Sequence, residues 1–272
     1  MIQPSLDEVK DIAEKGSIIP VCKDILGDLL TPAAAFLRVA HGRRRVFLLE
    51  SVEGGERLAR YSFIGWDPFV VVRGKGNSVS IERQGEIVHE ETRGFDKLRQ
   101  ISGSFKPVPI PDLPPYLGGG VGYFAYDIVR QFEKLPSAAA DDLGLDDYQL
   151  MYFSTILAFD HLRHRIHIIT SIFNERGVEG IEARYQDALL RIEQIEKRLT
   201  SPISLPSPVP QTAIPEPESN VSESQYYSNI ETAKSHIQAG DIFQVVLSQR
   251  FAMQISCDPF DIYRALRFIN PS

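Results

Sequence analysis

The sequence predicts an α+β protein, antiparallel sheets with flanking helices, and three observations predict it. Short runs rich in β-branched and aromatic residues follow one another between residues 45 and 91, separated only by Gly, Asn and charged turns. Two more such runs, MYFSTILAFD and RIHIITSIF, flank the connection His161-Leu162-Arg163-His164 as the arms of a hairpin do. Helical periodicity occurs in isolated places among these runs rather than alternating strictly with them, which separates α+β from a doubly wound arrangement.

The elements follow in order. Thr31 before Pro32 reads as the N-cap and first residue of the helix AAAFLRVA. RVFLLES, YSFIG, PFVVVRG, SVSIE and EIVHEE read as consecutive antiparallel strands. From Gly180 to Leu199, apolar Ile181, Tyr185, Ala188, Ile192, Ile195 and Leu199 recur at steps of four and three, the stripe of an amphipathic helix, with Glu193 and Lys197 paired on its outer face. The stretch SPISLPSPVPQTAIPEPES is too rich in Pro and Ser for a packed helix or a central strand and reads as a linker. Beyond it, Ser222 with Gln225 offers a capping box, Ile230, Ala233 and Ile237 form a stripe expected to be buried, and Gly240 supplies a stop. IFQVVLSQRFAM has strand composition, and Asp258-Pro259 opens a last helix. The expected organisation is a domain over residues 1–200, a linker over 201–220, and the start of a second, truncated domain over 221–272, because a helix, a strand and a helix cannot close a core.

With 272 residues, 43% of them hydrophobic, the chain can bury roughly three-quarters of its unfolded surface without staples. A formal charge of −7 repels phosphate backbones and anionic lipid, so neither a nucleic acid nor a membrane is an expected partner. Arg43-Arg44-Arg45 is the one basic run, and it reads as a solvated strand entrance. Cys22 and Cys257 are far apart and lack CxxC spacing, so no disulfide framework or thiolate zinc site is signalled and a reducing cytosol fits. No stretch reaches the ~20 apolar residues of a membrane span, and the N-terminus lacks the apolar segment of a signal peptide.

Three motifs carry a bland reading beside a functional one. Leu117-Gly118-Gly119-Gly120-Val121-Gly122 lacks both the Lys-Ser/Thr ending of a phosphate loop and the spacing of a dinucleotide fingerprint, and reads as a bulged or closely packed strand. His161, His164 and His167 invite a metal, but an extended chain puts His164 on the opposite face from the others, so they read as solvated turn residues. Glu50 and Ser51 close an apolar strand, where a carboxylate and a hydroxyl must be satisfied locally.

LLESVEGGERLARYSFIG (residues 48–65), LGGGVGYFAYD (117–127) and LAFDHLRHRIHII (157–169) resemble the front part of the large, chorismate-using subunit of anthranilate synthase. IETAKSHIQAGDIFQVVLSQRF (230–251) resembles the opening of the chorismate-binding domain that this subunit shares with aminodeoxychorismate, isochorismate and salicylate synthases. The LLES and RYSFIG elements select the anthranilate enzyme, with aminodeoxychorismate synthase as the nearest rival and a non-catalytic tryptophan-binding module as a reading from another class.

The resemblance implies conversion of chorismate and ammonia to anthranilate and pyruvate in tryptophan biosynthesis, with feedback inhibition by L-tryptophan. It places that inhibitor at Glu50 and Ser51, one offering its side chain and the other its backbone, Ser51 being the favoured side chain. The second wall of the pocket is implied at Asn270, Pro271 and Ser272. Gln244 matches a position where water-adding relatives carry a lysine base; an amide cannot deprotonate water, so ammonia is the implied nucleophile. Mg²⁺ is the implied cofactor, with its ligands expected beyond Ser272 and none within the chain. The ammonia implies a glutamine amidotransferase subunit as partner, and the chain alone is expected not to turn over.

Overall fold

The computed structural model describes residues 2–50, 60–136, 140–174, 177–203 and 215–270, and the chain divides near residue 204 into two compact units. The first contains β1 (Ile2–Gln3), α1 (Leu6–Ile12), β2 (Ile18–Leu26), α2 (Pro32–Val39), β3 (Val46–Leu49), β4 (Tyr61–Trp66), β5 (Val70–Lys75), β6 (Ser78–Arg83), β7 (Glu86–Glu91), α3 (Gly94–Ser104), β8 (Gly119–Phe124), β9 (Tyr148–Phe153), β10 (Thr155–Asp160), β11 (Arg165–Phe173) and α4 (Ile181–Leu199). The second contains β12 (Glu218–Ser219), α5 (Glu223–Ala239), β13 (Phe251–Ala252) and α6 (Pro259–Ile269).

In the first unit a six-stranded sheet, β1-β2-β11-β10-β4-β3, faces a five-stranded one, β7-β6-β5-β9-β8, and every strand pair is antiparallel. Cys22, Phe47, Phe153, Ile156, Ala158 and Ile169 form a core between the two sheets. The outer face of the five-stranded sheet packs Val70, Val72, Tyr148 and Tyr152 against Leu98 and Ile101 of α3, and α1, α2 and α4 lie together against the six-stranded sheet. The α+β architecture read from the sequence is the one observed.

The strands from 45 to 91 do not form one meander. β3 and β4 belong to the six-stranded sheet and β5 to β7 to the other, with the change made at Asp67, whose φ of 51° turns the chain before Pro68. MYFSTILAFD is likewise two strands: β9 ends at Phe153 in one sheet and β10 begins at Thr155 in the other. Uninterrupted apolar composition cannot reveal such a crossing, since both halves are buried between the same two sheets.

Local chemistry sets the helices. Thr31 caps α2 by accepting from the Ala34 N–H, with Pro32 in the first turn. Buried on α4 are Ile181, Tyr185, Ala188, Ile192, Ile195 and Leu199, the six residues of the periodic stripe, and Glu193 meets Lys197 at 2.7 Å on the outside. The basic run spends its charge in ion pairs: Arg45 makes two hydrogen bonds to Glu82 at 2.5 and 2.6 Å, and Arg43 pairs with Asp67.

The glycine-rich segment is an edge strand held by close approach. A Cβ on Gly122 would stand 1.8 Å from the Gln149 carbonyl oxygen across the β8–β9 ladder, and one on Gly118 would stand 2.8 Å from that of Phe153.

In the second unit Ser222 accepts from the Gln225 N–H and Gly240 ends α5 in the left-handed conformation, while Asp258 caps α6 by accepting from the Phe260 N–H. Two expectations are corrected there. No residue of α5 is buried, and Ile237 is 44% exposed. Of IFQVVLSQRFAM only Phe251–Ala252 is strand, paired with Glu218–Ser219. Strand formation requires a neighbour for its N–H and C=O groups, and among the described residues of this unit the two-residue β12 is the neighbour present.

Candidate functional site

β3 is the outer strand of the six-stranded sheet, hydrogen-bonded to β4 alone among the described strands, and it stops at Leu49 just before Glu50. Leu49 stands opposite Phe63 and Phe47 opposite Gly65, so these side chains share the face turned toward the five-stranded sheet. An aromatic wall continues from them. Phe47 meets Phe153 edge-on at 4.8 Å, Phe63 meets Tyr116 edge-on at 5.3 Å, and Tyr61 stacks on Phe63 at 5.9 Å.

Leu49 remains 49% exposed and Glu50 is half-buried. The strand end therefore joins an uncovered apolar surface to a carboxylate, the two kinds of group that an aromatic amino acid requires. Ser51 lies outside the described residues. Burial pushes the Tyr116 phenol well above its usual range, so it stays neutral, donating its hydrogen to the Gly119 carbonyl at 3.3 Å.

Gly65 makes this wall possible: a Cβ there would sit 2.2 Å from Phe47 Cε1. Gly65→Ala is expected to displace the Phe47 ring and cost about 2 kcal/mol in urea unfolding, an overpacking penalty. Trp66, the single tryptophan, is buried one residue away and supplies the fluorescence signal.

Two polar clusters went unnoticed in the sequence. Arg60 donates to both carboxylate oxygens of Asp160, at 3.2 and 2.7 Å, and lies over the Tyr61 ring at 4.8 Å. The Asp160 carboxylate is 1% exposed and also accepts from the N–H groups of Leu162 and Arg163 at 3.1 and 3.0 Å. Burial works to raise its pKa, but the Arg60 guanidinium and those amides outweigh it and hold the carboxyl below its ordinary range. Arg60 and Asp160 sit within the quoted segments RYSFIG and LAFD, and a charge ending each of two apolar strands was the available signal.

The second cluster corrects the reading of the histidines. His161 belongs to the turn and contacts the Ser62 hydroxyl at 2.7 Å, and His164 takes the left-handed conformation there, φ 52°. His167, however, is inside β11 and 3% exposed, facing Asp24 at 2.7 Å beside the buried Cys22. The hairpin turn is shorter than the histidine spacing, so the third histidine falls on the strand.

The remaining sequence-derived residues lie in the second unit. Gln244 is exposed in the irregular segment after α5. Asn270 follows α6, donating its backbone N–H to the Leu266 carbonyl at 2.8 Å, and Pro271 and Ser272 lie outside the described residues. Mg²⁺ prefers oxygen ligands, whereas Cys22, Asp24 and His167, the cluster of potential ligands among the described residues, offers a thiol and an imidazole. No residue here is assigned to Mg²⁺.

The pattern described by the family of chorismate binding enzymes matches residues 44–272. This chain belongs to that family. Anthranilate synthase component 1 of Acetivibrio thermocellus is 41% identical to this chorismate-binding family member over 283 residues, spanning all of the chain and 56% of the relative. A probable anthranilate synthase component 1 from Schizosaccharomyces pombe is 36% identical, again across the whole chain and 53% of its own length. The crystal structure of anthranilate synthase component I from Streptococcus pneumoniae TIGR4 superposes with a TM-score of 0.60 at 26% identity, covering 91% of the chain and 53% of that protein. The family member described here thus spans about half the length of the relatives it matches. Among its described residues no helix is long and apolar enough to cross a membrane.

Proposed function

We propose that this chain is the front part of the large, chorismate-using component of anthranilate synthase, and that its first unit is the regulatory part. What supports this most is that relatives carrying that name match through the first unit as well as the second, at 34–41% identity. The first unit holds the features that select the anthranilate enzyme in the sequence, LLES and RYSFIG.

In this reading the β3 end receives L-tryptophan. Its indole lies against Leu49 and the neighbouring aromatic wall, and its ammonium is taken by the Glu50–Ser51 step. The whole enzyme makes anthranilate and pyruvate in the cytosol from chorismate and ammonia. The ammonia comes from a glutamine amidotransferase subunit, and Mg²⁺ is held by residues beyond Ser272. Gln244 belongs to the nucleophile-selecting part of that larger site.

The chain incubated with chorismate, ammonium and Mg²⁺ is expected to produce no rise in anthranilate fluorescence; sustained turnover would overturn the division of labour. Calorimetry with L-tryptophan is expected to give weak binding or none with the chain alone. In the chain extended to the full length of its relatives, Ser51→Ala is expected to weaken tryptophan binding at least tenfold, the loss of about 1.4 kcal/mol. Tight binding that ignores Ser51→Ala would place the effector elsewhere.

A further inference from the structure

His167 stands directly across from Asp24 in the β11–β2 register, and Cys22, two residues earlier on β2, shares their face. Asp24 Oδ1 lies 2.7 Å from His167 Nδ1 and 3.5 Å from Cys22 Sγ. Sγ and Nδ1 are 3.9 Å apart. Cys22 is fully buried and His167 3% exposed, while the Asp24 side chain is 25% exposed. It borders a recess of about 620 Å³, lined also by Gln3, Asp112, Arg163 and Arg165.

The arrangement is not that of a nucleophile and its base. In such a relay the acid orients one imidazole nitrogen and the nucleophile meets the other; here the carboxylate and the thiol both meet Nδ1. Burial raises the Cys22 thiol far above its ordinary range, with Asp24 adding to the effect, so no free thiolate forms near neutral pH. Three different donor atoms instead surround one point.

We propose that Cys22, Asp24 and His167 are the protein ligands of a divalent cation of borderline softness, of the Zn²⁺ class, with a fourth position open to the recess. Tetrahedral zinc with ordinary bond lengths spaces its ligand atoms about 3.6 Å (S to N), 3.5 Å (S to O) and 3.3 Å (N to O). The cluster matches within about 0.6 Å, the largest change being the parting of Nδ1 and Oδ1. Sulfur, imidazole and carboxylate together favour zinc over Mg²⁺ or Ca²⁺.

On binding, the Cys22 S–H proton passes to water and His167 carries its proton on Nε2, leaving Nδ1 free to ligate. Arg165 lies 3.5 Å from Asp24 Oδ2, so it fixes the carboxylate through the other oxygen and leaves Oδ1 for the metal. Its charge and that of Arg163 oppose a cation, and Asp112 across the recess offsets them in part. The bound ion pins β2 to β11 from within the ladder.

The test strips the chain with a chelator and titrates Co²⁺ as a spectroscopic stand-in. One equivalent is expected to bind with a thiolate-to-cobalt charge-transfer band that Zn²⁺ abolishes. Cys257→Ser should retain that band, Cys22→Ser should lose it, and Asp24→Asn should bind at least tenfold more weakly. Circular dichroism and Trp66 fluorescence establish that each variant is folded; should Cys22→Ser not fold, the partly exposed Asp24→Asn decides. Absence of the band, its loss in Cys257→Ser, its persistence in Cys22→Ser, or wild-type affinity in Asp24→Asn overturns the proposal.

Discussion

Gly122→Ala is expected to strip amide protection from residues 119–124 while the six-stranded sheet stays protected. The added methyl would stand 1.8 Å from the Gln149 carbonyl oxygen, 2.8 Å from its carbon and 3.0 Å from the Leu150 Cα. All three are backbone atoms of β9, so no rotamer change relieves the clash and the ladder must open. β8 is an outer strand bonded to β9, which makes local detachment the cheapest response. The cost is about 3 kcal/mol, at the top of the overpacking range. Gly76→Ala is the contrast: nothing lies within 4 Å of its Cβ position, but φ is +56°, so the expected loss is about 1 kcal/mol of left-handed strain. Hydrogen exchange on both variants separates steric from conformational cost, and equal exchange patterns would refute the close-approach reading of the glycine-rich segment.

Asp160→Asn is expected to cost about 3 kcal/mol near neutral pH, the low end for breaking a buried pair because Arg60 is 29% exposed. The amide keeps the size but loses the charge that holds Arg60 and accepts from two backbone amides. Because the folded carboxyl has a pKa below its unfolded value, its contribution is fully present above the ordinary Asp value of ~3.9. It is lost as pH falls through the folded value. Wild type and variant should therefore converge in stability as the solution is acidified below about pH 4. Urea midpoints followed by Trp66 fluorescence across that range check the convergence, and a constant gap would show that the charge contributes nothing.

The histidines and the crossing at Ser154 show where sequence reasoning fell short. Period-2 alternation tells which residues share a face but not which sheet a strand joins, so MYFSTILAFD read as one strand. Phe153 and Ile156 lie in one core although they stand on opposite sheets, and it is this sandwiching that erased the boundary from the hydrophobic pattern. His167 read as part of a turn because it continues the three-residue recurrence of His161 and His164, although Ile166 and Ile168 flank it; its real partner, Asp24, is remote along the chain. The stripe of α4 was legible because its spacing alone fixes which face is apolar, whatever covers it.

The sequence alone determined the class of fold, the caps of α2, α5 and α6, the buried face of α4, the glycine requirement within 118–122, and the family, through contiguous signatures. Each depends on neighbours a few residues apart or on a preserved string. Only the tertiary structure decided that Arg60 meets Asp160, that Cys22, Asp24 and His167 converge, and that an aromatic wall adjoins Leu49 and Glu50. Those groups come together through strand register, and register is fixed by the burial of whole sheet faces rather than by any residue's immediate neighbours.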